Sequence, residues 1–268
     1  MGLLGSPSFA IPRSVDRDAK IAEDISEQDR QRLLAAKNRY NLRTMALFLL
    51  LRWINVLGVT LITLIGVDLY DSLGAIALAS AVLGDIAFTL LYGVLIERAN
   101  ARFRPLTPQL CSIYDPYFWW HERYWKLLSS PAMFNGTPLK GPMWRLVGVR
   151  VGRRLFDDGC DIPERTLVTL GDDCTLNVAT WLQAHSQEDG AFKSDYITIG
   201  HGCTVGVSAW THYGIVIGDG AELAADSFLM KGEIISPRTR WGGNPAQEVP
   251  GSRMTSALLL PVAADTQP

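Results

Sequence analysis

The segment Ile197-Thr-Ile199-Gly-His-Gly-Cys-Thr-Val205-Gly-Val-Ser-Ala-Trp-Thr211-His-Tyr-Gly-Ile-Val-Ile217-Gly-Asp-Gly-Ala-Glu-Leu223-Ala-Ala-Asp-Ser-Phe-Leu229-Met-Lys-Gly-Glu-Ile-Ile235 has a six-residue period. Ile199, Val205, Thr211, Ile217, Leu223, Leu229 and Ile235 mark it, and all but Thr211 are aliphatic. Gly200, Gly206 and Gly218 follow three of them directly, and small residues such as Cys203, Ala209 and Ala221 stand two positions before. Upstream, Leu170, Leu176 and Leu182 carry the same period. Six matches neither the roughly 3.6-residue turn of a helix nor the alternation of a strand. It matches a parallel β-helix: each unit makes one short strand and one corner, three units close a coil, and aliphatic side chains stack coil on coil.

The period fails once. Leu182 and Ile199 are seventeen residues apart, so eleven are inserted at one corner, including His185-Ser-Gln-Glu-Asp-Gly190-Ala-Phe-Lys-Ser-Asp195. A polar insert of this kind is expected to protrude, and long loops within a compact repeat usually serve function. Counting faces in threes stacks Thr211 on Leu182, which brings His185 and His212 to one edge in adjacent coils, about 5 Å apart along the axis. His212 also stands where three other units have Gly, so two irregularities coincide, as they do at functional sites. An ordinary surface role explains each histidine separately; their pairing favours a site. For His201 and His121 a structural role is preferred.

Apolar residues make up 48% of the 268 residues and charged residues 19%. The apolar excess lies in residues 45–67 and 73–96, each able to cross the ~30 Å hydrocarbon core as a helix. Asp68-Leu-Tyr-Asp-Ser72 leaves room only for a turn, so the two form an antiparallel hairpin. Arg30, Arg32, Lys37, Arg39 and Arg43 precede the first run, Arg98, Arg102 and Arg104 follow the second, and the turn has no Lys or Arg. The positive-inside rule then predicts a two-pass protein of the inner membrane with its β-helix on the cytoplasmic side. Arg52 and Asp85 lie inside the spans, where an unpaired charge costs ~2.5–3.5 kcal/mol. Depths of roughly 12 and 16 Å put them in reach of each other; the alternative is a snorkelling Arg52 and an Asp85 that faces a partner helix.

The expected order is an extended strap and capped helix over 1–43, the transmembrane hairpin over 44–97, an interfacial aromatic-rich linker helix over 98–145, the β-helix over 146–250, and a disordered tail over 251–268. Ser26 before Glu27 and Asp29 marks the cap. In the linker, Ile113-Tyr-Asp-Pro-Tyr-Phe-Trp-Trp-His-Glu-Arg-Tyr-Trp-Lys126 suits either the membrane boundary or a helix packed between the two halves. No apolar stretch at the amino terminus resembles a cleavable signal. Cys111, Cys160, Cys174 and Cys203 lack paired metal-ligand spacing, so neither disulfides nor a metal is expected. A net charge of −2 leaves no footprint for nucleic acid.

The stacked units ending in Arg240-Trp-Gly-Gly-Asn-Pro-Ala246 resemble the hexapeptide-repeat acyltransferases, whose left-handed β-helix is closed by a Gly-Asn-Pro-Ala turn near bound coenzyme A. Ser112-Ile-Tyr-Asp-Pro-Tyr-Phe-Trp119, His121-Glu-Arg-Tyr-Trp125, His185-Ser-Gln-Glu-Asp-Gly190, Phe192-Lys-Ser-Asp195 and Asp226-Ser-Phe-Leu-Met-Lys-Gly232 resemble the membrane-bound carboxyl-terminal region of ε-poly-L-lysine synthetase-type non-ribosomal peptide synthetases. The resemblance covers most of the chain. It implies an α+β protein: a two-helix transmembrane hairpin followed by a left-handed parallel β-helix. It also implies peptide-bond formation, in which an amine attacks an aminoacyl thioester on a phosphopantetheine arm, with a carrier and adenylation module and sister β-helix units, in a trimer or pseudo-trimer, as partners. This chain departs from the pattern in having one repeat unit and no adenylation or carrier domain, which suits a fragment, a split component or a diverged protein that has lost the chemistry.

On this footing His185 is the expected general base, with Glu188 or Asp189 orienting its ring. His212 is a second base or an oxyanion donor. Lys231, Arg240, Trp241 and Asn244 near the closing turn are candidates to hold the pantetheine arm or coenzyme A, although a solvated face explains Lys231 and Arg240 almost as well. Two other classes are a non-catalytic membrane scaffold and a coenzyme A-dependent O- or N-acetyltransferase.

Overall fold

The computed structural model describes residues 2–4, 9–11, 26–129, 132–188 and 190–250. Strands Gly2–Leu4 and Phe9–Ile11 pair antiparallel. Most of the expected strap, the tail over 251–268 and Asp189 lie outside the described residues.

Ser26 caps helix α1 (Glu27–Asp68), its Oγ accepting a hydrogen bond from the Asp29 amide at 3.1 Å. The capped helix and the first apolar run are one continuous rod of 42 residues. A single-turn helix α2 (Tyr70–Leu73) and Gly74, at φ 58°, reverse the chain into α3 (Ala75–Asn100). Small residues let α1 and α3 approach: a Cβ on Gly66 would stand 2.4 Å from the Ala81 Cβ, the kind of contact on which apolar helices associate. Both helices are long and apolar enough to cross a membrane. Leu49, Trp53, Val56, Leu83 and Leu91 are exposed on their outer faces, and apolar surface this continuous needs a cover of lipid or protein.

Arg52 and Asp85 are not paired. Asp85 Oδ2 accepts from the Thr63 hydroxyl at 2.9 Å, and the Arg52 guanidinium stands 5.1 Å over the Phe48 ring. One oxygen of the short carboxylate is bonded by the helix opposite, while the long Arg side chain lies along its own helix.

The linker is two helices and a strand instead of one helix. After the strand Gln109–Ser112 comes α4 (Pro116–Lys126), capped by Asp115, which accepts from the Tyr117 amide at 2.7 Å. Pro116 fits the first turn, where a missing N–H costs nothing. Phe118, Trp119, His121 and Tyr124 are buried, so this aromatic stripe is a packing face. It meets α1 through Tyr40–Trp119, with ring centroids 6.0 Å apart, and Lys37–Glu122 at 3.1 Å. Helix α5 (Lys140–Val147) leads into the coils.

Three parallel sheets form the β-helix. The first stacks Arg150–Val151, Val168–Leu170, Ile197–Ile199, Val216–Ile217 and Ile234–Ile235. The second stacks Phe156–Asp157, Thr175–Leu176, Thr204–Val205, Glu222–Leu223 and Arg240–Gly242. The third stacks Trp181–Leu182, Trp210–Thr211 and Phe228–Leu229, with Thr211 in register with Leu182. The marker residues Leu176, Leu182, Val205, Thr211, Leu223 and Leu229 are all 0% exposed, so the stacked column predicted from the period is the core.

Glycine follows the marker only at the first two corners. A Cβ on Gly171 would stand 2.6 Å from the Gly200 backbone, so neighbouring coils touch there. At the third corner the same position holds Gln183, His212 and Met230. His212 therefore does not replace a glycine, which corrects the inference of a locally broken repeat. The insert at this corner is not a free loop either. His185–Glu188 and Ala191–Ser194 make an antiparallel hairpin, and the second strand pairs with Gln109–Ser112 of the linker. Phe192 pins it, fully buried with its ring 5.4 Å from Phe118.

Candidate active site

The inserted hairpin carries His185 to a carboxylate that sequence reasoning did not single out. Glu164 sits just before the short 3-10 turn Arg165–Leu167 and is fully buried. Its Oε1 accepts from Trp125 Nε1 at 2.6 Å and lies 3.4 Å from His121 Nε2. His185 Nδ1 stands 2.8 Å from the same oxygen, off the line an N–H donor prefers. Oε2 accepts from the Ala184 amide at 3.1 Å. Burial alone would raise the Glu164 pKa, but the charge of His185 and the hydrogen bonding of both imidazoles outweigh it and hold the carboxyl well below the usual range. A buried carboxylate is sustained only by such donors.

Two aromatic rings that also touch each other border the His185 ring. Trp125 lies 4.4 Å away, tilted by 36°, and Phe192 stacks at 6.0 Å. With Nδ1 turned to Glu164, Nε2 is the acceptor nitrogen, and the Gln183 amide nitrogen lies 3.3 Å from it. His185 borders a cavity of about 660 Å³, whose walls include Trp125, Trp144, Trp181, Lys140, Asp161 and Arg165. Lys140 is buried at 2% exposure, and that burial lowers its pKa. Arg165 is tied to the end of α3: its Nε lies 3.1 Å from Glu97 Oε1, with both side chains buried.

The other expected residues divide into two groups. His212 and Lys231 follow the third face one and two coils beyond His185, so the structure gathers all three at one corner. The two histidines have separate surroundings: His212 contacts Tyr213 and Phe228, and burial pushes its imidazole down to about 4. Glu188 does not orient His185, because its side chain is bonded to Lys231, Nζ to Oε2, at 2.6 Å. Glu164 holds the ring instead. Arg240, Trp241 and Asn244 lie at the last coil: Arg240 is paired with Glu222 at 3.2 Å, and Trp241 packs against the core. Cys174 and Cys203 fill the tight corner, their Sγ atoms 3.0 and 3.2 Å from the carbonyls of Gly200 and Gly218.

Glu164, which the sequence reading does not single out, and His121, for which it prefers a structural role, had one signal each. Glu164-Arg165 is a charged pair directly before the buried repeat, and His121 is flanked by aromatics on a helix whose buried face is apolar.

No protein-family model matches the chain. Over 188 residues, 67% of this chain, it is 30% identical to delta-poly-L-ornithine synthetase of Acinetobacter baumannii; the chain spans 14% of that protein's length. Similar solved structures include a hexapeptide-repeat acetyltransferase of Vibrio cholerae in complex with acetyl coenzyme A, at 21% identity, covering 40% of this chain and 61% of that one, with a TM-score of 0.36. Galactoside acetyltransferase with coenzyme A is 18% identical, covering 45% and 72%, with a TM-score of 0.37. A maltose O-acetyltransferase of Clostridium difficile is 16% identical, covering 57% and 100%, with a TM-score of 0.36.

Proposed function

We propose that this chain is a membrane-anchored acyl- or aminoacyltransferase unit that forms amide bonds from a thioester and an amine. The observation that carries the proposal is the 2.8 Å approach of buried Glu164 Oε1 to Nδ1 of His185, which lines the cavity. In the neutral ring a carboxylate beside Nδ1 favours the proton on that nitrogen and leaves the lone pair on Nε2, the arrangement by which a third group equips a histidine as a base.

The amine nitrogen attacks the thioester carbonyl carbon, and the C–N bond forms. His185 Nε2 takes the proton the amine sheds. Glu164 stabilises the resulting imidazolium, which returns the proton to the departing sulfur as the C–S bond breaks. The products are an amide and a thiol. Trp125, Trp144 and Trp181 give a slender arm apolar walls, and Lys140 offers a buried cation to a substrate carboxylate.

The donor is a thioester on a carrier-held phosphopantetheine arm. The cations expected to receive a phosphate at the closing turn, Lys231 and Arg240, are both engaged by carboxylates, which counts against a diphosphate-bearing coenzyme A. The likeness to a poly-L-ornithine synthetase supports an amino acid as the amine. On the same reading, the apolar hairpin spans the inner membrane with a left-handed β-helix on the cytoplasmic side. A carrier and adenylation module supplies the donor. Sister β-helices pack against the third face, where Trp181 and Trp210 stack 5.7 Å apart, each about two-fifths exposed.

The test supplies the full chain in detergent with an ornithinyl pantetheine thioester or the matching coenzyme A thioester, and free ornithine. Mass spectrometry is expected to find the dipeptide from the pantetheine donor. Thioester hydrolysis at the buffer rate with both donors would remove the proposal.

A further inference from the structure

The hairpin holds a second space that the transfer reaction does not use. It is a groove of about 370 Å³ between α1 and α3, roofed by the end of α4 and by Met133 and Met143. Its floor is apolar, with Phe48 and Leu90 among the lining residues, and its charged members are Arg52 and Lys126. No Asp or Glu among the described residues lines it. Among the described residues neither cation has a carboxylate at ion-pair distance: Arg52 stands over the Phe48 ring, and Asp85, the other charge within the spans, is bonded to Thr63. Arg52 is exposed on a helix face whose neighbours Leu49, Trp53 and Val56 are exposed and apolar. A cation in that setting calls for an anion that can itself reside in an apolar surface.

The level of the groove limits what that anion is. Helix α4 packs against α1 at Lys37, Tyr40 and Thr44, just before the apolar run begins. Lys126, at the end of α4, therefore lies at the upper rim. Arg52 lies about two helical turns into the run, or roughly 10 Å below its start. Asn55 and Thr89 add neutral polar atoms between the apolar walls. A cationic rim, a second cation below and apolar walls that open sideways match a phosphate with acyl chains attached. The volume accepts a headgroup, and the chains run on along the exposed helix faces.

We infer that the groove bounded by Arg52 and Lys126 is a binding site for the phosphate headgroup of an anionic phospholipid. This rests on the membrane-spanning reading of the hairpin and is separate from the transfer chemistry. Basic pockets beside membrane helices select anionic headgroups in this way. The site adjoins the catalytic cavity, because Leu128 and Ser129 line both spaces, and Ser129 bonds Glu97 through its amide at 3.0 Å and its hydroxyl at 2.8 Å.

The full chain is reconstituted in nanodiscs of equal phosphatidylglycerol and phosphatidylcholine, and the lipids retained after mild delipidation are counted by native mass spectrometry. Wild type is expected to retain phosphatidylglycerol roughly tenfold over phosphatidylcholine. Arg52→Gln and Lys126→Gln should each lower that ratio, and Arg52→Lys should preserve it. Lys126 is exposed on a helix end, so its variant carries the test if Arg52→Gln does not fold. A wild-type ratio near one, or an unchanged ratio in the double variant, overturns the site. Displacement of the lipid by inorganic phosphate overturns the phospholipid assignment. Flotation with vesicles of either lipid is the separate check on the membrane reading: a chain that floats with both but shows no preference refutes only the groove.

Discussion

Nδ1 of His185 stands 2.8 Å from Oε1 of Glu164, and that contact joins three parts of the molecule. His185 opens the inserted hairpin, Glu164 lies in the connection between the coil that holds Phe156–Asp157 and the next one, which starts at Val168, and Trp125 of α4 donates to the same oxygen at 2.6 Å. The same fully buried carboxylate also meets His121 Nε2 at 3.4 Å and the Ala184 amide at 3.1 Å.

Glu188 and Glu164 are expected to behave differently. Glu188 is about one-third exposed and bonded to Lys231, a pairing worth ~0–1 kcal/mol. Glu188→Gln should leave the melting temperature nearly unchanged and lower transfer by less than about tenfold, whereas loss of a base-orienting carboxylate costs on the order of a hundredfold or more. Equal losses in the two variants would return the orienting role to Glu188.

Thr211 fills a lumen position at 0% exposure, and its hydroxyl has no hydrogen-bond partner among the described residues. A buried unpaired hydroxyl costs ~1–3 kcal/mol. Thr211→Val is therefore expected to raise stability by about 1 kcal/mol in a thermal or chemical melt. A drop of that size would mean that the hydroxyl has a partner.

Burial holds the His212 imidazole at about 4, below its ordinary value of 6.5. Between those two pH values the unfolded chain binds a proton that the folded chain refuses, so stability falls as pH drops through this window. His212→Asn should show a shallower decline from pH 7 to pH 4 when melting temperatures are compared. Parallel curves would contradict the assignment.

Much of this architecture is legible in the chain itself. The column Leu182, Thr211, Leu229 follows from a period of six alone, because each register is fixed by side chains that must share one lumen. Ser26 is recognisable as a cap from the acidic turn after it. The site is harder to see. His121, Glu164 and His185 belong to α4, a connection between two coils and the hairpin, and no spacing relates them; only the docking of the linker against the insert brings them together. The same docking explains why Glu188, near His185 in sequence, faces Lys231 in space. His212 drew notice as a glycine position because the first two corners and the third follow different steric rules, which the period does not reveal.

The most direct measurement is the rate of amide formation from a pantetheine thioester by wild type, Glu164→Gln, His185→Ala and the double variant in the same detergent, each checked for an intact melt. Each single variant is expected to lose at least about a hundredfold, and the double variant to be no slower than His185→Ala alone, since the two groups act as a unit. Wild-type turnover in His185→Ala, or additive losses in the double variant, would contradict the account.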